Sequence, residues 1–248
     1  MNASSAGAAG RTLDVLETFR LARRPLSLSE LARLAGIPVS TCHGLVRTLE
    51  RRGFLYYPSK RGAYPTRKLL EIARDIAAHD PIAARLEPAL GALRDATKET
   101  VILGMRSGDA VLYLLVLDSP QIVRYTADAG AHKPLHSSAI GKALLGAMDD
   151  KALEAWLAEH ELPRITEKTI TSSRRLAREI DESRARAYYV TRGENVADVM
   201  AVAVPVRLGS AELAVAVAGP LHRMAPAERK HARRLAEAVR SIEEQSSG

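Results

Sequence analysis

The spacing of apolar residues predicts three short helices at the start of the chain. Apolar residues recur at helical intervals over residues 13–21, and this run ends at a basic turn with a proline. Ser27 and Glu30 have the spacing of a capping box, so a second helix is predicted over residues 28–35. A third helix follows over residues 39–52, after a turn that contains glycine and proline. Two helices joined by such a turn are a helix-turn-helix candidate.

Two short strands and a further helix are predicted behind this helix pair. The strands, over residues 54–57 and 63–64, flank a turn that carries Lys60 and Arg61 and has the form of a basic wing. A helix over residues 67–79 follows before the pattern breaks at a proline. We therefore predict a winged helix-turn-helix domain over residues 1–65, a linker helix over residues 66–80 and a second domain over residues 81–248.

The remainder of the chain predicts a mixed domain. Strands in a block, followed by helices and then again by strands, indicate an α+β fold with a mostly antiparallel sheet. Strands are predicted over residues 101–106, 110–117 and 121–127, helices over residues 136–148, 151–160 and 173–187, strands over residues 188–191, 199–207 and 212–218, and a last helix over residues 225–242.

Length and composition exclude several classes of protein. A chain of 248 residues that is 46% hydrophobic and 26% charged can bury a sizeable core, which excludes wholesale disorder. The single cysteine, Cys42, excludes an internal disulfide and a zinc site built from several cysteines. Residues 1–10 lack the features of a signal peptide, and no apolar run approaches the roughly 18 residues that span a bilayer. We expect a cytoplasmic protein without a membrane partner.

The net charge of +7 is confined to the first third of the chain. Residues 1–79 contain 13 Lys and Arg against 6 Asp and Glu, whereas residues 80–248 contain 23 of each. This distribution is typical of a polyanion-binding module attached to a charge-balanced one. Charge alone leaves an ordinary solvated basic surface as an equal alternative.

One face of the third helix favours contact with DNA. Apolar side chains between Cys42 and Leu49 recur at i, i+3, i+4 and i+7, which leaves the opposite face for short polar groups, a glycine and arginines. Such a face suits the major groove of duplex DNA, because hydroxyl groups and arginine bind phosphates or base edges. The alternative is an ordinary solvated helix face. The predicted DNA contacts are Ser27, Ser40, Thr41, His43, Gly44, Arg47 and Arg51, with Lys60 and Arg61 on the wing.

Three segments resemble the IclR family of bacterial transcriptional regulators. The family's winged helix-turn-helix resembles LSLSELARLAGIPVSTCHGLVRTLERRGFL, residues 26–55. Its effector-domain motif resembles PLHSSAIGKALLGAM, residues 134–148, and its C-terminal signature resembles SRARAYYVTRGENVADVMAVAVPVRLGSAELAVAVAGP, residues 183–220. The resemblance implies a GAF-like effector-binding domain, a homodimer formed through the DNA-binding domain and linker helix, and a dimer of dimers.

The chain departs from the family at several positions. Val39 stands where the family often has a basic residue and Gly44 where it often has arginine. Arg47, Arg51 and the wing are therefore expected to carry more of the binding. A different operator sequence is the expected consequence. Ala187 and Asp198 replace glycines of the family before the last strands, which leaves the local backbone geometry open.

The start of the helix over residues 136–148 is the expected effector site. Ser137 or Ser138 can cap this helix, and an accessible helix start attracts a carboxylate. By resemblance, three alanines in the last strands replace polar residues, so we expect an apolar pocket for a small organic acid that is aromatic or otherwise apolar. The alternative is that these alanines only pack the sheet. The predicted effector contacts are Met105, Tyr113, His136, Ala139, Ile140, Gly141, Asp198, Ala201, Ala216 and Ala218.

Motifs for catalysis and metal binding are incomplete in this sequence. Gly141-Lys142 resembles the end of a P-loop but lacks its first glycine and its hydroxyl residue. His132 and His136 would need a remote third ligand, such as His160, to hold a metal ion. No Gly-x-Ser-x-Gly turn surrounds Ser137. We therefore expect no enzyme activity, no cofactor and no metal.

The favoured interpretation is a ligand-responsive regulator that binds a double-stranded DNA operator and represses a neighbouring catabolic operon. Two alternatives stay open. One is a hydrolase-like enzyme on the second domain, with His136 as the base beside a serine. The other is an architectural DNA-binding protein without an effector.

Overall fold

The computed structural model describes residues 7–59, 62–80 and 82–244. The chain divides between residues 80 and 81 into two compact units, and each unit has a hydrophobic core of its own. Within these described residues, no helix has both the length and the apolar character needed to cross a membrane.

The first unit contains the predicted helix-turn-helix and its two-stranded wing. The predicted wing residues Lys60 and Arg61 lie outside the described residues. The elements are α1 (Ala8–Ala22), α2 (Leu28–Ala35), α3 (Val39–Arg51), β1 (Leu55–Ser59), β2 (Gly62–Pro65) and α4 (Lys68–Ala78).

Local hydrogen bonds explain where these elements begin and end. The backbone N–H of Glu30 donates to the Ser27 hydroxyl at 3.3 Å, and the N–H of Ser27 donates to the Glu30 carboxylate at 3.0 Å. This is the predicted capping box. Gly36 ends α2 in the left-handed region, with φ of +67°. Leu26 and Ala63 exchange two backbone hydrogen bonds, which attach the wing to the segment before α2.

The core of the first unit forms beneath α3, as its apolar stripe predicts. Cys42 is fully buried there, so it acts as a small apolar side chain. By contrast, α4 buries no side chain. Its apolar residues Leu70, Ile72 and Ile76 are 46%, 39% and 69% exposed.

The second unit has the expected α+β fold, built on one six-stranded antiparallel sheet in the order β5-β4-β3-β8-β7-β6. The strands are β3 (Thr100–Ser107), β4 (Ala110–Leu117), β5 (His132–Pro134), β6 (Tyr189–Arg192), β7 (Val199–Leu208) and β8 (Ala211–Pro220). The helices are α5 (Ala83–Thr97), α6 (Ala139–Gly146), α7 (Asp150–Glu159), α8 (Ser173–Arg186), α9 (Leu221–Met224) and α10 (Glu228–Glu244), with a 3-10 turn at Ala225–Ala227.

Helices cover both faces of this sheet. One core lies between the sheet and α6, α7 and α8, and the other lies between the sheet and α5 and α10. Successive residues of a strand point to opposite faces, so β8 alternates between the two cores. Its alanines, such as Ala216, face α6, and its larger residues, such as Val215, face the other core.

The prediction of a strand over residues 121–127 was wrong. The segment forms no strand, and Ile122 and Val123 are 95% and 65% exposed. Its backbone is held by a side chain instead, since the Thr100 hydroxyl donates to the carbonyl of Tyr125 at 2.6 Å. The chain reaches the sheet only afterwards, where β5 pairs with β4.

Two residues that by resemblance stand in place of family glycines have a left-handed backbone. Ala187 has φ of +64° and Asp198 has φ of +60°, both in the left-handed region. Side chains with a Cβ rarely adopt this region, because Cβ crowds the following carbonyl oxygen. The turns before β6 and β7 therefore hold these two residues in a strained backbone conformation.

Candidate functional site

The outer face of α3 is a basic surface. Arg47 and Arg51 are exposed, and neither forms a salt bridge with any of the described residues. Their charges are therefore available to an anion. Ser40, His43 and Gly44 are also exposed, and Thr41 is half-buried.

Gly44 is not required by packing within the first unit. A Cβ added at this position would meet nothing within 4 Å. Glycine inside a helix costs stability relative to alanine, and at this position it leaves the backbone of an exposed helix face open to close approach.

Ser27 has a different role from the other predicted DNA contacts. Its hydroxyl donates to the Glu30 carboxylate at 2.8 Å while it accepts from the Glu30 N–H. The hydroxyl group is therefore already hydrogen-bonded, as donor and as acceptor, at the start of α2. We leave Ser27 out of the proposed DNA-contacting set for this reason.

A cavity lies at the start of α6, between this helix and the sheet of the second unit. The cavity volume is about 30 Å³, and the empty space rises to about 410 Å³ when the open mouth is included. The predicted contacts Tyr113, Ala139, Ile140, Ala201, Ala216 and Ala218 all line it. The other lining residues are Ile102, Tyr125, Ser138, Thr191, Asn195, Val196 and Val199.

The cavity is lined by apolar and uncharged polar side chains. No Asp, Glu, Lys, Arg or His is among its described lining residues. Ser138 caps α6, because its hydroxyl accepts from the N–H of Gly141 at 3.1 Å and donates to the carbonyl of Pro134. Within the described part of the chain, the N–H groups of Ala139 and Ile140 make no hydrogen bond. A helix start with free N–H groups can accept a carboxylate.

Two tyrosines, Tyr113 and Tyr125, line the cavity and share a side-chain hydrogen bond. Burial, and then the neighbouring Tyr125, raise the pKa of Tyr113 well above its usual value. Burial likewise raises the pKa of Tyr125. Both phenols are therefore protonated at neutral pH and offer uncharged hydrogen-bonding groups.

Two predicted effector contacts point away from the cavity. Met105 packs in the opposite core, because Ile102 and Gly104 occupy the cavity-facing side of β3. Asp198 is exposed, and its carbonyl accepts from the N–H of Leu221 at 2.7 Å. Neither side chain lines the cavity.

His136 and Gly141 are buried beside the cavity but have structural roles. The Nε2 of His136 lies 3.0 Å from the carbonyl of Pro163, and burial lowers the pKa of this histidine. A Cβ at Gly141 would lie 2.2 Å from the carbonyl oxygen of Leu135. Gly141 thus lets α6 pack closely against the preceding segment.

The loop after β6 closes one side of the cavity, and sequence reasoning missed it. Its residues Asn195 and Val196 line the cavity, and the Asn195 side chain donates to the Ser137 hydroxyl at 3.1 Å. Glu194 of the same loop forms an ion pair with Lys142 of α6. Residues in irregular loops carry no periodic signal. A search for a carboxylate partner of the buried Lys142 could have found Glu194, because buried lysines are usually paired.

The geometry does not support the hydrolase alternative. Among the described residues, His136 makes no hydrogen bond to Ser137 or Ser138, because its ring faces Pro163. The Ser137 hydroxyl accepts from Asn195 instead. The described residues also contain no group of three His, Cys, Asp or Glu side chains that could hold a metal ion.

The two units match the two domains of one family. Residues 8–59 match the IclR helix-turn-helix domain, and residues 75–247 match the domain described as bacterial transcriptional regulator IclR C-terminal. The HTH-type transcriptional regulator BhcR of Paracoccus denitrificans is 31% identical over 222 residues, covering 88% of this chain and 78% of that protein.

Solved structures agree with this match. The crystal structure of IclR from Thermotoga maritima has a TM-score of 0.83 and 25% identity, and the match covers 97% of this chain and 98% of that chain. An IclR homolog from Microbacterium hydrocarbonoxydans, complexed with 4-hydroxybenzoate, has a TM-score of 0.76 and 25% identity, over 95% and 97% of the two chains. The chain therefore belongs to the IclR family of DNA-binding bacterial transcriptional regulators, which are not enzymes.

Proposed function

We propose that this regulator represses a neighbouring catabolic operon and is controlled by an aromatic or otherwise apolar organic acid. The observation that carries the proposal is the cavity at the start of α6, which has apolar walls and free helix N–H groups but no charged side chain among its described lining residues. The proposed effector is small and singly charged, because nothing in the lining would neutralise a second charge.

The proposed DNA contacts lie on the outer face of α3. Arg47 binds a guanine or a phosphate, and Gly44 allows the helix to approach the groove. The exposure of this face and the absence of salt bridges to Arg47 and Arg51 among the described residues support this assignment. The proposed set is Ser40, Thr41, His43, Gly44, Arg47 and Arg51, with Lys60 and Arg61 as predicted wing contacts.

The proposed ligand pose follows from the chemistry of the walls. The carboxylate accepts from the N–H groups of Ala139 and Ile140, and the apolar part lies against the alanines of β7 and β8. The hydroxyl of Tyr113 faces a polar substituent on the ring. The family member that binds 4-hydroxybenzoate supports an aromatic acid of this kind.

We further propose that the regulator is a homodimer, and a dimer of dimers on DNA. The apolar side chains of α4 are uncovered in a single chain, and a partner helix would bury them. Effector binding alters DNA affinity only if the acid binds the two arrangements of the DNA-binding pairs unequally.

Thermal unfolding of the full chain tests the effector class. The probes are benzoate, 4-hydroxybenzoate, the uncharged 4-hydroxybenzamide and pyruvate. Both aromatic acids should raise the Tm, and the amide and pyruvate should not. Ala201→Leu, which fills the cavity, should abolish the shift. An equal shift with the amide would contradict carboxylate recognition, and no shift with either acid would contradict the aromatic class.

DNA binding is tested separately, with duplexes selected by the full chain from a random pool. A bound acid should change the affinity for the selected duplex. Unchanged affinity in the presence of a bound acid would favour an architectural DNA-binding protein over a ligand-controlled repressor.

A further inference from the structure

Val39 is an exposed apolar residue with no packing role in its own unit. Its side chain is 52% exposed. Among the described residues, it belongs neither to the buried core of the first unit nor to the half-buried side chains packed against that core. Single exposed apolar residues are common on protein surfaces, so the position of Val39 must decide its meaning.

The position of Val39 is the first residue of α3. The helix begins there directly after Pro38, and Val39 lies one turn before His43 on the side of the helix that both share. The N-terminal residues of a recognition helix are those that reach base edges in the major groove. On the proposed function, Val39 therefore faces DNA rather than bulk solvent.

The chemistry of valine restricts what Val39 can recognise. It has no hydrogen-bonding group, so it can bind neither a phosphate nor a polar base edge. The 5-methyl group of thymine is the apolar group that bases present in the major groove. A β-branched side chain also has one preferred rotamer in a helix, so its methyl groups keep a fixed direction.

We propose that Val39 is a specificity-determining residue that contacts the 5-methyl group of one thymine in each operator half-site. This inference rests on the proposed placement of α3 in the major groove. The contact would also assign a function to valine at a position where the family often has a basic residue, because a basic side chain would instead favour phosphate or guanine.

The test uses the duplex that the full chain selects from a random pool. Each thymine is replaced in turn by uracil, which removes only the methyl group, and binding is measured by fluorescence anisotropy. One replacement per half-site should weaken binding of the unmodified protein about four-fold, the factor expected for one buried methyl group. Val39→Ala should bind the thymine duplex about four-fold more weakly and should be insensitive to that uracil.

A matched control distinguishes this contact from a general loss of binding. Leu34→Ala removes another exposed apolar side chain, on α2, and should keep the full response to uracil. The inference is overturned if no uracil replacement weakens binding, or if Val39→Ala responds to uracil as the unmodified protein does. Failure to select any sequence would instead contradict the proposed operator binding itself. Equal unfolding midpoints of Val39→Ala and the unmodified protein confirm that the fold is intact.

Discussion

The ammonium group of Lys142 lies 2.8 Å from each carboxylate oxygen of Glu194 inside the effector-binding unit. The Lys142 side chain is fully buried and that of Glu194 is 11% exposed. Lys142 also donates to the carbonyl of Val190 at 3.2 Å, and the Thr169 hydroxyl donates to the carbonyl of Glu194 at 2.7 Å. The ion pair therefore joins the helix at the cavity to the loop that closes it.

Breaking this pair from one side should strongly destabilise the second unit. Lys142→Met and Glu194→Gln each leave a buried group without its partner, which costs about 3–5 kcal/mol for a buried ion pair. Urea unfolding of the full chain measures the loss. Arg233→Ala, in the exposed pair with Glu237, should cost about 1 kcal/mol or less. The account is wrong if either buried variant loses no more than this control.

Gly44→Ala should change stability and DNA affinity in opposite directions. The added methyl group meets nothing within the protein, so better helix propensity should stabilise the first unit by about 0.5–1 kcal/mol. DNA binding should weaken, because the methyl group prevents close approach. Gly91→Ala, at an equally open position in α5, is the matched control and should leave DNA affinity unchanged. Stronger or unchanged DNA binding by Gly44→Ala would show that α3 does not approach DNA at this point.

Ala187→Gly should stabilise the second unit by roughly 1 kcal/mol. The left-handed backbone at the end of α8 strains alanine but not glycine. Ala185→Gly, two residues earlier inside α8, should destabilise by a similar amount. Chemical denaturation of both variants compares the two signs, and a loss of stability in both would contradict the strain at Ala187.

His160 should make a small part of the stability depend on pH. Desolvation lowers its pKa, but the carbonyl of Trp156 and the carboxylate of Asp109, with a further contribution from Glu159, together raise it above the usual value. Its contribution is therefore fully present below about pH 6.5 and is lost as pH rises through the raised folded pKa. Asp109 is 71% exposed, so the expected change in Tm is about 2 °C or less.

Thermal unfolding checks this dependence over a range from about pH 5.5 to about pH 9, which extends below and above the usual histidine pKa. The Tm difference between the unmodified protein and Asp109→Asn should be largest at the acidic end and should vanish at the alkaline end. Asp128→Asn, at another exposed aspartate, should follow the unmodified protein throughout. A difference that grows with pH would contradict the assignment.

Most of the correct predictions came from local patterns in the sequence. The apolar stripe of α3 located its buried face, and the capping box located the start of α2. These two predictions rest on one regular element each, so a local pattern was sufficient. The alanines of β7 and β8 were assigned to the pocket by the resemblance to the family, and Ala201, Ala216 and Ala218 line the cavity.

The remaining errors come from contacts that no local pattern specifies. Both faces of the sheet are covered by helices, so both are apolar, and alternation could not tell which side of β3 Met105 occupies. Tyr125 and Asn195 reach the cavity from loops, whose paths depend on tertiary hydrogen bonds such as that from Thr100. The exposed segment over residues 121–127 had apolar residues but no partner strand.

The most direct test of DNA recognition by α3 is the DNA affinity of Arg47→Ala. Affinity of the full chain for the selected duplex is measured at salt concentrations from about 50 to 200 mM. We predict at least about a tenfold loss for Arg47→Ala, with Arg178→Ala, at an exposed arginine of α8, binding like the unmodified protein. Equal affinity of all three proteins, or an equal loss in both variants, would contradict the account.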